Sequence, residues 1–180
     1  ARFERGEDDI YVFSHPPSLE QAQAARFLHN PLEFIVPNNH PLLNKKNVTL
    51  ADLMPYRFLL RENGSATRML FESELQSRGL VLSDGVQMAS NEAIRVAVSS
   101  GMGISLLSHH VLPKGDNSYT KLHVIDTDIA SQWYFVMRTD RHISHAARSF
   151  LKFAQANLEH YLDTKWVRNE LHRLHLEPKT

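Results

Sequence analysis

The feature that most restricts this chain is an arrangement used twice between residues 57 and 107: a short apolar run, a small polar turn, then an amphipathic helix. Phe58-Leu59-Leu60 enters the turn Arg61-Glu62-Asn63-Gly64-Ser65, and the spacing beyond it predicts a helix to about Arg78. Met69, Leu70, Phe71 and Leu75 are its candidate core contacts and Gly79 its stop. Val86-Gln87-Met88 leads through Ser90-Asn91 into a second helix with Ile94, Ala97 and Val98 on one face, ended by Gly101. Gly103-Ile104-Ser105-Leu106-Leu107 reads as the next strand. Strands alternating with helices predict an α/β fold with a largely parallel sheet, in which ligands favour the carboxyl ends of strands.

The flanking sequence is less periodic. Ile10-Tyr11-Val12-Phe13 reads as a buried strand, stopped by Ser14-His15-Pro16-Pro17. Ser18 to Ala25 is helix-tolerant, and Pro31 is expected to interrupt the chain before a strand at Leu32-Glu33-Phe34-Ile35-Val36. Thr49 is placed to cap a short helix over Leu50 to Leu53. Lys121 to Ile125 and Trp133-Tyr134-Phe135-Val136-Met137 read as strands, the latter with the strongest β character in the chain. Ser144 is an expected N-cap for a long helix whose apolar stripe holds Ala147, Phe150, Leu151, Ala154, Leu158, Tyr161 and Leu162. Full burial of Phe150 would make its loss cost ~3–5 kcal/mol. Trp166, Val167, Leu171 and Leu174 are compatible with a last helix before a frayed Pro178-Lys179-Thr180 end.

Composition closes off several kinds of chemistry. Lys and Arg number 20 and so do Asp and Glu, so there is no global basic field to gather phosphate backbones or anionic lipid. No cysteine is present, which removes disulfides, thiolate metal sites and thiol nucleophiles and leans towards a reducing, cytoplasmic setting. No apolar run approaches the ~20 residues that span a bilayer, and the charged start at Arg2 to Asp9 has no signal-peptide core. Histidine is abundant at 11, but His142/His145 and His172/His175 lack the carboxylate-bearing motifs of metal sites. Gly101-Met102-Gly103-Ile104-Ser105 is neither a nucleophile elbow nor a dinucleotide fingerprint and reads as a tight helix-to-strand turn. No acid/base pair stands out, so the expectation is a binder without catalytic residues, metal or cofactor.

Both strand-to-helix turns have the physics of an anion site, because first-turn N–H groups have no helical acceptor. In Gly64-Ser65-Ala66-Thr67-Arg68, glycine permits close approach, Ser65 and Thr67 supply hydroxyls, and Arg68 or Arg61 is available to neutralise a carboxylate or phosphate. The plain alternative is that Ser65 only caps the helix, and Ser90-Asn91-Glu92 carries the same ambiguity.

These segments resemble, in order, the effector-binding domain of LysR-type transcriptional regulators. The resemblance rests on Phe3-x-x-Gly6-x-x-Asp9-Ile10, on Phe34-Ile35-Val36-Pro37-x-x-His40-Pro41-Leu42 and on Leu50-x-Asp52-Leu53. It continues through Arg61 to Arg68, Ser90-Asn91-Glu92-Ala93-Ile94, Ala97 to Leu107, Gln132 to Val136 and Ser144 to Leu151, and covers residues 1 to about 158. Asp8 stands where the family usually has an apolar residue. Within the family, Arg61 to Arg68, Ser90 to Ile94 and Trp133-Tyr134 are most similar to regulators of carbon-fixation operons.

The resemblance implies two α/β lobes like a type 2 periplasmic binding protein, joined by two crossovers: residues 1–36 with 128–180, and 37–127. It implies effector contacts from Phe13, Ser14 and His15 in the first lobe and from Gly64, Ser65, Thr67 and Asn91 in the second. The effector would be a small anionic metabolite of the sugar-phosphate, phosphoglycolate or 2-oxoglutarate class. DNA would be reached only through a helix-turn-helix that these residues do not include, and a homo-oligomer and no membrane association are expected. The family's first strand and helix of lobe one also have no counterpart here, which would leave a sheet edge open. A solute-binding protein for a small anion is the alternative on the same fold.

Overall fold

The computed structural model describes residues 2–18 and 20–176, so the expected frayed end at Pro178-Lys179-Thr180 lies outside the described residues. The chain forms α1 (Arg2–Arg5), β1 (Tyr11–Phe13), β2 (Ala22–Val36), α2 (Leu50–Leu53), β3 (Arg57–Leu60), α3 (Ala66–Ser77), β4 (Asp84–Gln87), α4 (Asn91–Ser99), β5 (Ser105–Ser108), β6 (Thr120–Leu122), β7 (Ala130–Arg138) and α5 (His145–Tyr161). Short 3-10 turns lie at Pro41–Asn44, His109–Val111 and Leu171–Arg173. Two compact units result: Ala1–Asn30 with Ser131–Thr180, and Pro31–Ala130.

In the second unit, period-two alternation sorts side chains to two faces of one set of strands. Phe34, Val36, Phe58, Ile104 and Leu106 enter one core with Leu50, Leu53, Phe71 and Leu75. Their chain neighbours Ile35, Leu59 and Leu107 enter the other with Ile94, Ala97 and Val98. Thus α3 covers one face and α4 the other. Thr49 and Asp52 close a capping box on α2, with Thr49 N donating to Asp52 Oδ2 at 2.8 Å. The Lys45 ammonium and the Thr49 donors hold the Asp52 carboxyl down at about 2. β3 and β4 form a parallel ladder, with a further parallel bridge from Phe58 to Ile104. β2 pairs antiparallel with β5 and with β6, so the expected largely parallel sheet is corrected to a mixed one.

The first unit departs further from expectation. β2 begins at Ala22, where a helix had been permitted, and continues through Pro31 to Val36 instead of breaking. Pro31 sits where the strand changes partners, before Leu32 takes up its register with Ser108, so the missing N–H falls between two ladders. Residues 31–36, expected in the first lobe, therefore belong to the second unit, as do residues 128–130. β1 pairs antiparallel with β7 but is not a buried strand, since Val12 is 56% exposed. The core of this unit joins Ala25, Phe27, Leu28, Phe135 and Met137 to Leu151, Ala154 and Leu158 of α5. Phe150 is 47% exposed and packs in a T-shaped arrangement with Phe135, so the expectation of full burial fails; Tyr161 is likewise outside the stripe.

Among the described residues after α5 no further α-helix forms, and only the 3-10 turn at Leu171–Arg173 is helical. Val167 forms an antiparallel bridge with Leu28, His29 N donates to Trp166 O at 2.8 Å, and Arg168 N donates to Phe27 O at 2.9 Å. Arg26 pairs with Glu170 at 2.6 Å, and Leu171 is buried to 1% exposure in the core. The tail is laid along β2 as an edge segment, which supplies partners to backbone groups that an open edge would leave unpaired.

Candidate functional site

Because β3 and β4 are parallel and adjacent, Leu60 pairing with Gln87, the two turns that follow them emerge side by side. Gly64 takes a φ of 87°, in the left-handed region that lets the chain turn sharply into α3. No side chain crowds it, so the glycine is required for conformation and not for space.

The two helix starts differ. At α4, Ser90 Oγ accepts from Ala93 N at 3.1 Å, and at α5 Ser144 Oγ accepts from Ala147 N at 3.2 Å. At α3, the Ser65 side chain makes no such bond, although its carbonyl accepts from Met69 N at 2.9 Å. The plain capping reading of Ser65 is therefore not what the structure holds. The first-turn amides over residues 66–68 have no helical acceptor, and the Ser65 hydroxyl is not spent on them. Thr67 stands in the same turn, half-buried.

Arg61 ties the two turns together. Its Nη1 donates to Asn91 Oδ1 at 2.6 Å, while Nε and Nη2 grip the Glu62 carboxylate at 2.8 Å each. This grip holds the Glu62 carboxyl well below its usual range, at about 2. Arg68 donates to Glu72 at 2.7 Å, to Gln87 Oε1 at 3.0 Å and to the Arg61 carbonyl at 3.0 Å. Both guanidiniums available on sequence grounds are thus occupied by protein groups. The donors at this turn that no protein group engages include the first-turn α3 amides and the hydroxyl of Ser65, with the Thr67 hydroxyl beside them. Sequence reasoning missed this framework of Arg61, Glu62 and Gln87; the adjacent Arg61-Glu62 pair was the available signal, but its reach across to Asn91 depends on the parallel pairing of β3 and β4.

In the first unit, Phe13 ends β1 with its ring edge-on to Phe3 at 5.8 Å, and Ser14 and His15 follow in a bend with Oγ and Nδ1 3.4 Å apart. The structure thus gathers Gly64, Ser65, Thr67 and Asn91 at one strand edge of the second unit, and Phe13, Ser14 and His15 at the end of β1 in the first. Among the described residues no three His, Asp or Glu side chains are grouped to hold a metal, and no helix is long and apolar enough to cross a membrane.

Three comparisons bear on this arrangement. The LysR substrate binding domain family matches residues 1–159. Curated relatives include a RuBisCO operon transcriptional regulator of Allochromatium vinosum, 35% identical over 148 residues, covering 81% of this chain and 49% of the relative. The HTH-type transcriptional activator CmpR of Synechocystis is 35% identical over 156 residues, covering 84% of this chain and 51% of the relative. The chain thus spans about half the length of the curated relatives it matches. Among solved structures, the Synechocystis CcmR regulatory domain in complex with 2-PG matches at TM-score 0.78 and 33% identity, covering 86% of this chain and 76% of that one. The QuiR effector-binding domain in complex with shikimate matches at 0.76 and 20% identity, covering 89% and 77%, a likeness of fold alone.

Proposed function

The chain belongs to the LysR substrate-binding domain family, and from that premise we propose that it is the effector-sensing part of a transcriptional regulator of carbon-fixation genes, without catalytic activity of its own. The effector proposed is a small anion carrying a phosphate or carboxylate, of the phosphoglycolate, sugar-phosphate or 2-oxoglutarate class. One observation carries this reading: α3 starts on a serine whose hydroxyl does not cap it, beside a second strand-to-helix turn, while the serines of α4 and α5 do cap theirs.

In the proposed mode an anionic oxygen takes the place of the missing cap. It accepts from the first-turn amides of α3 and from the Ser65 and Thr67 hydroxyls, at the positive end of the helix dipole. Arg61 and Arg68 then act at one remove, holding Asn91, Gln87 and the turn carbonyl in place. Phe13, Ser14 and His15 are proposed as the first unit's contribution to effector binding. A bound effector favours one conformation of the regulator over another, and the bias passes to DNA through segments beyond these residues, in a homo-oligomer.

Titration calorimetry of the chain against phosphoglycolate, sugar phosphates and 2-oxoglutarate tests the proposal. Saturable binding by at least one is expected, weakened by about tenfold or more in Thr67→Ala, the equivalent of ~1.4 kcal/mol. A folded protein that binds none of them, or a Thr67→Ala variant that binds as well as the parent, would overturn it.

A further inference from the structure

At the end of β7 away from Ala130, the first unit holds a cavity of about 360 Å³ whose wall includes Arg138, Asp140, Arg141, His142, Arg148 and His175. Three guanidiniums face one carboxylate there, and that carboxylate is already consumed. Asp140 takes Arg138 in a two-pronged grip, at 2.8 Å from Nε and 2.6 Å from Nη2. The remaining Nη1 of Arg138 donates to the carbonyls of Phe3 and Glu4 at 3.0 and 2.9 Å. Four of the five N–H donors of Arg138 are therefore engaged.

Arg141 and Arg148 are not so engaged. Arg141 Nη1 donates to the Gly6 carbonyl at 2.7 Å, leaving most of its five N–H donors for other partners. Gly6 is needed for this seat, since a Cβ there would lie 2.6 Å from Arg141 Cζ and its φ of 62° is left-handed. Arg148 Nε is buried with no hydrogen-bond partner among the described residues. A buried donor on a permanent cation, left unpaired, is costly, and the cost disappears when an acceptor carrying negative charge arrives.

We propose that this cavity is a second anion site, separate from the α3 turn, taking the phosphate or carboxylate group of a small molecule on Arg148 and Arg141. A planar guanidinium fork suits both groups, which present paired oxygens at matching spacing. The site belongs wholly to the first unit and does not depend on the effector reading above.

Inorganic phosphate and acetate are the probes, titrated separately into the 15N-labelled chain at constant ionic strength with chloride as the balancing ion. Phosphate is expected to shift the Arg148 Nε–H resonance and the amides of Thr139 and Ile143 along one saturable curve, and acetate tells whether carboxylates bind too. Arg148→Gln should weaken the fitted affinity by about tenfold. Gly6→Ala, which dislodges Arg141 and leaves Arg148 untouched, should weaken it as well. Shifts confined to residues 65–67 would report the other site and not this one. An Arg148 Nε–H resonance unmoved by either probe, or moved equally by chloride, would overturn the proposal without recourse to any variant. So would an unchanged affinity in a folded Arg148→Gln.

Discussion

The two units solve the same problem, burying the faces of short strands, with different connections. In the second, β3 runs into α3 and β4 into α4, with β3 and β4 parallel and adjacent, and the helices cover opposite faces of the layer that β2, β3 and β5 supply. In the first, β1 and β7 pair antiparallel, and one helix and an irregular tail close the core. The consequence reaches the chemistry. A parallel pair delivers two helix starts to one edge, which makes amide donors available to a guest. An antiparallel unit offers no such edge, and its polar hollow is instead walled by side chains at the end of β7. The effector proposal and the second anion site therefore rest on different physics, backbone dipoles in one and guanidinium forks in the other.

The sharpest way to break this account of the first unit is to remove the tail's anchor. Leu171 is buried at 1% exposure beside Leu151 and Leu158, so Leu171→Ala is expected to cost ~2–5 kcal/mol in denaturant unfolding. Phe150→Ala, a larger deletion on the same core's helix, is expected to cost only about 1 kcal/mol because half of its ring already faces water. If Phe150→Ala proved the more damaging, the tail would not be part of the folded unit.

A second comparison sets helix starts against each other. Ser144→Ala removes a real cap from α5 and should destabilise by about 1 kcal/mol. Ser65→Ala removes a hydroxyl that caps nothing and should change stability by less than ~0.5 kcal/mol while weakening effector binding. Equal stability losses in the two variants would mean that Ser65 is an ordinary cap, and the effector proposal would lose its support.

What the sequence disclosed follows this division. Ile94, Ala97 and Val98 were legible as the buried face of α4 because helical periodicity and burial agree there, and Phe71 and Leu75 of α3 likewise. Met69 misled, being 57% exposed on the outer side of the same helix. In the first unit, Ala22 to Ala25 has helix-tolerant residues that pairing overrides, and Pro31 is harmless because of where the ladders stop. Both outcomes depend on partners far away in sequence, as Leu32 and Ser108 show. The order of Gly64, Ser65, Thr67 and Asn91 was readable as two turns; that Arg61 joins them was not, since parallel pairing of β3 and β4 alone brings Asn91 within its reach.

The smallest expected effect concerns pH and belongs to the second unit. His40 is buried against the Tyr56 ring, and its Nδ1 accepts from Leu42 N at 3.3 Å, an interaction that only the neutral imidazole can make. Burial lowers its pKa below the ordinary 6.5. The unfolded chain thus takes up a proton at a pH where the folded chain still refuses it, so this contribution to stability is complete above about 6.5 and is lost as the pH falls from there towards the folded value. A single site of this kind adds a slope of at most ~1.4 kcal/mol per pH unit. Urea unfolding of the parent and of His40→Gln between pH 7 and pH 5 should therefore show a shallower decline in the variant. Parallel curves would mean that the imidazole is as easily protonated folded as unfolded, and that the turn at Pro41–Asn44 opens to water more readily than its packing against Tyr56 implies.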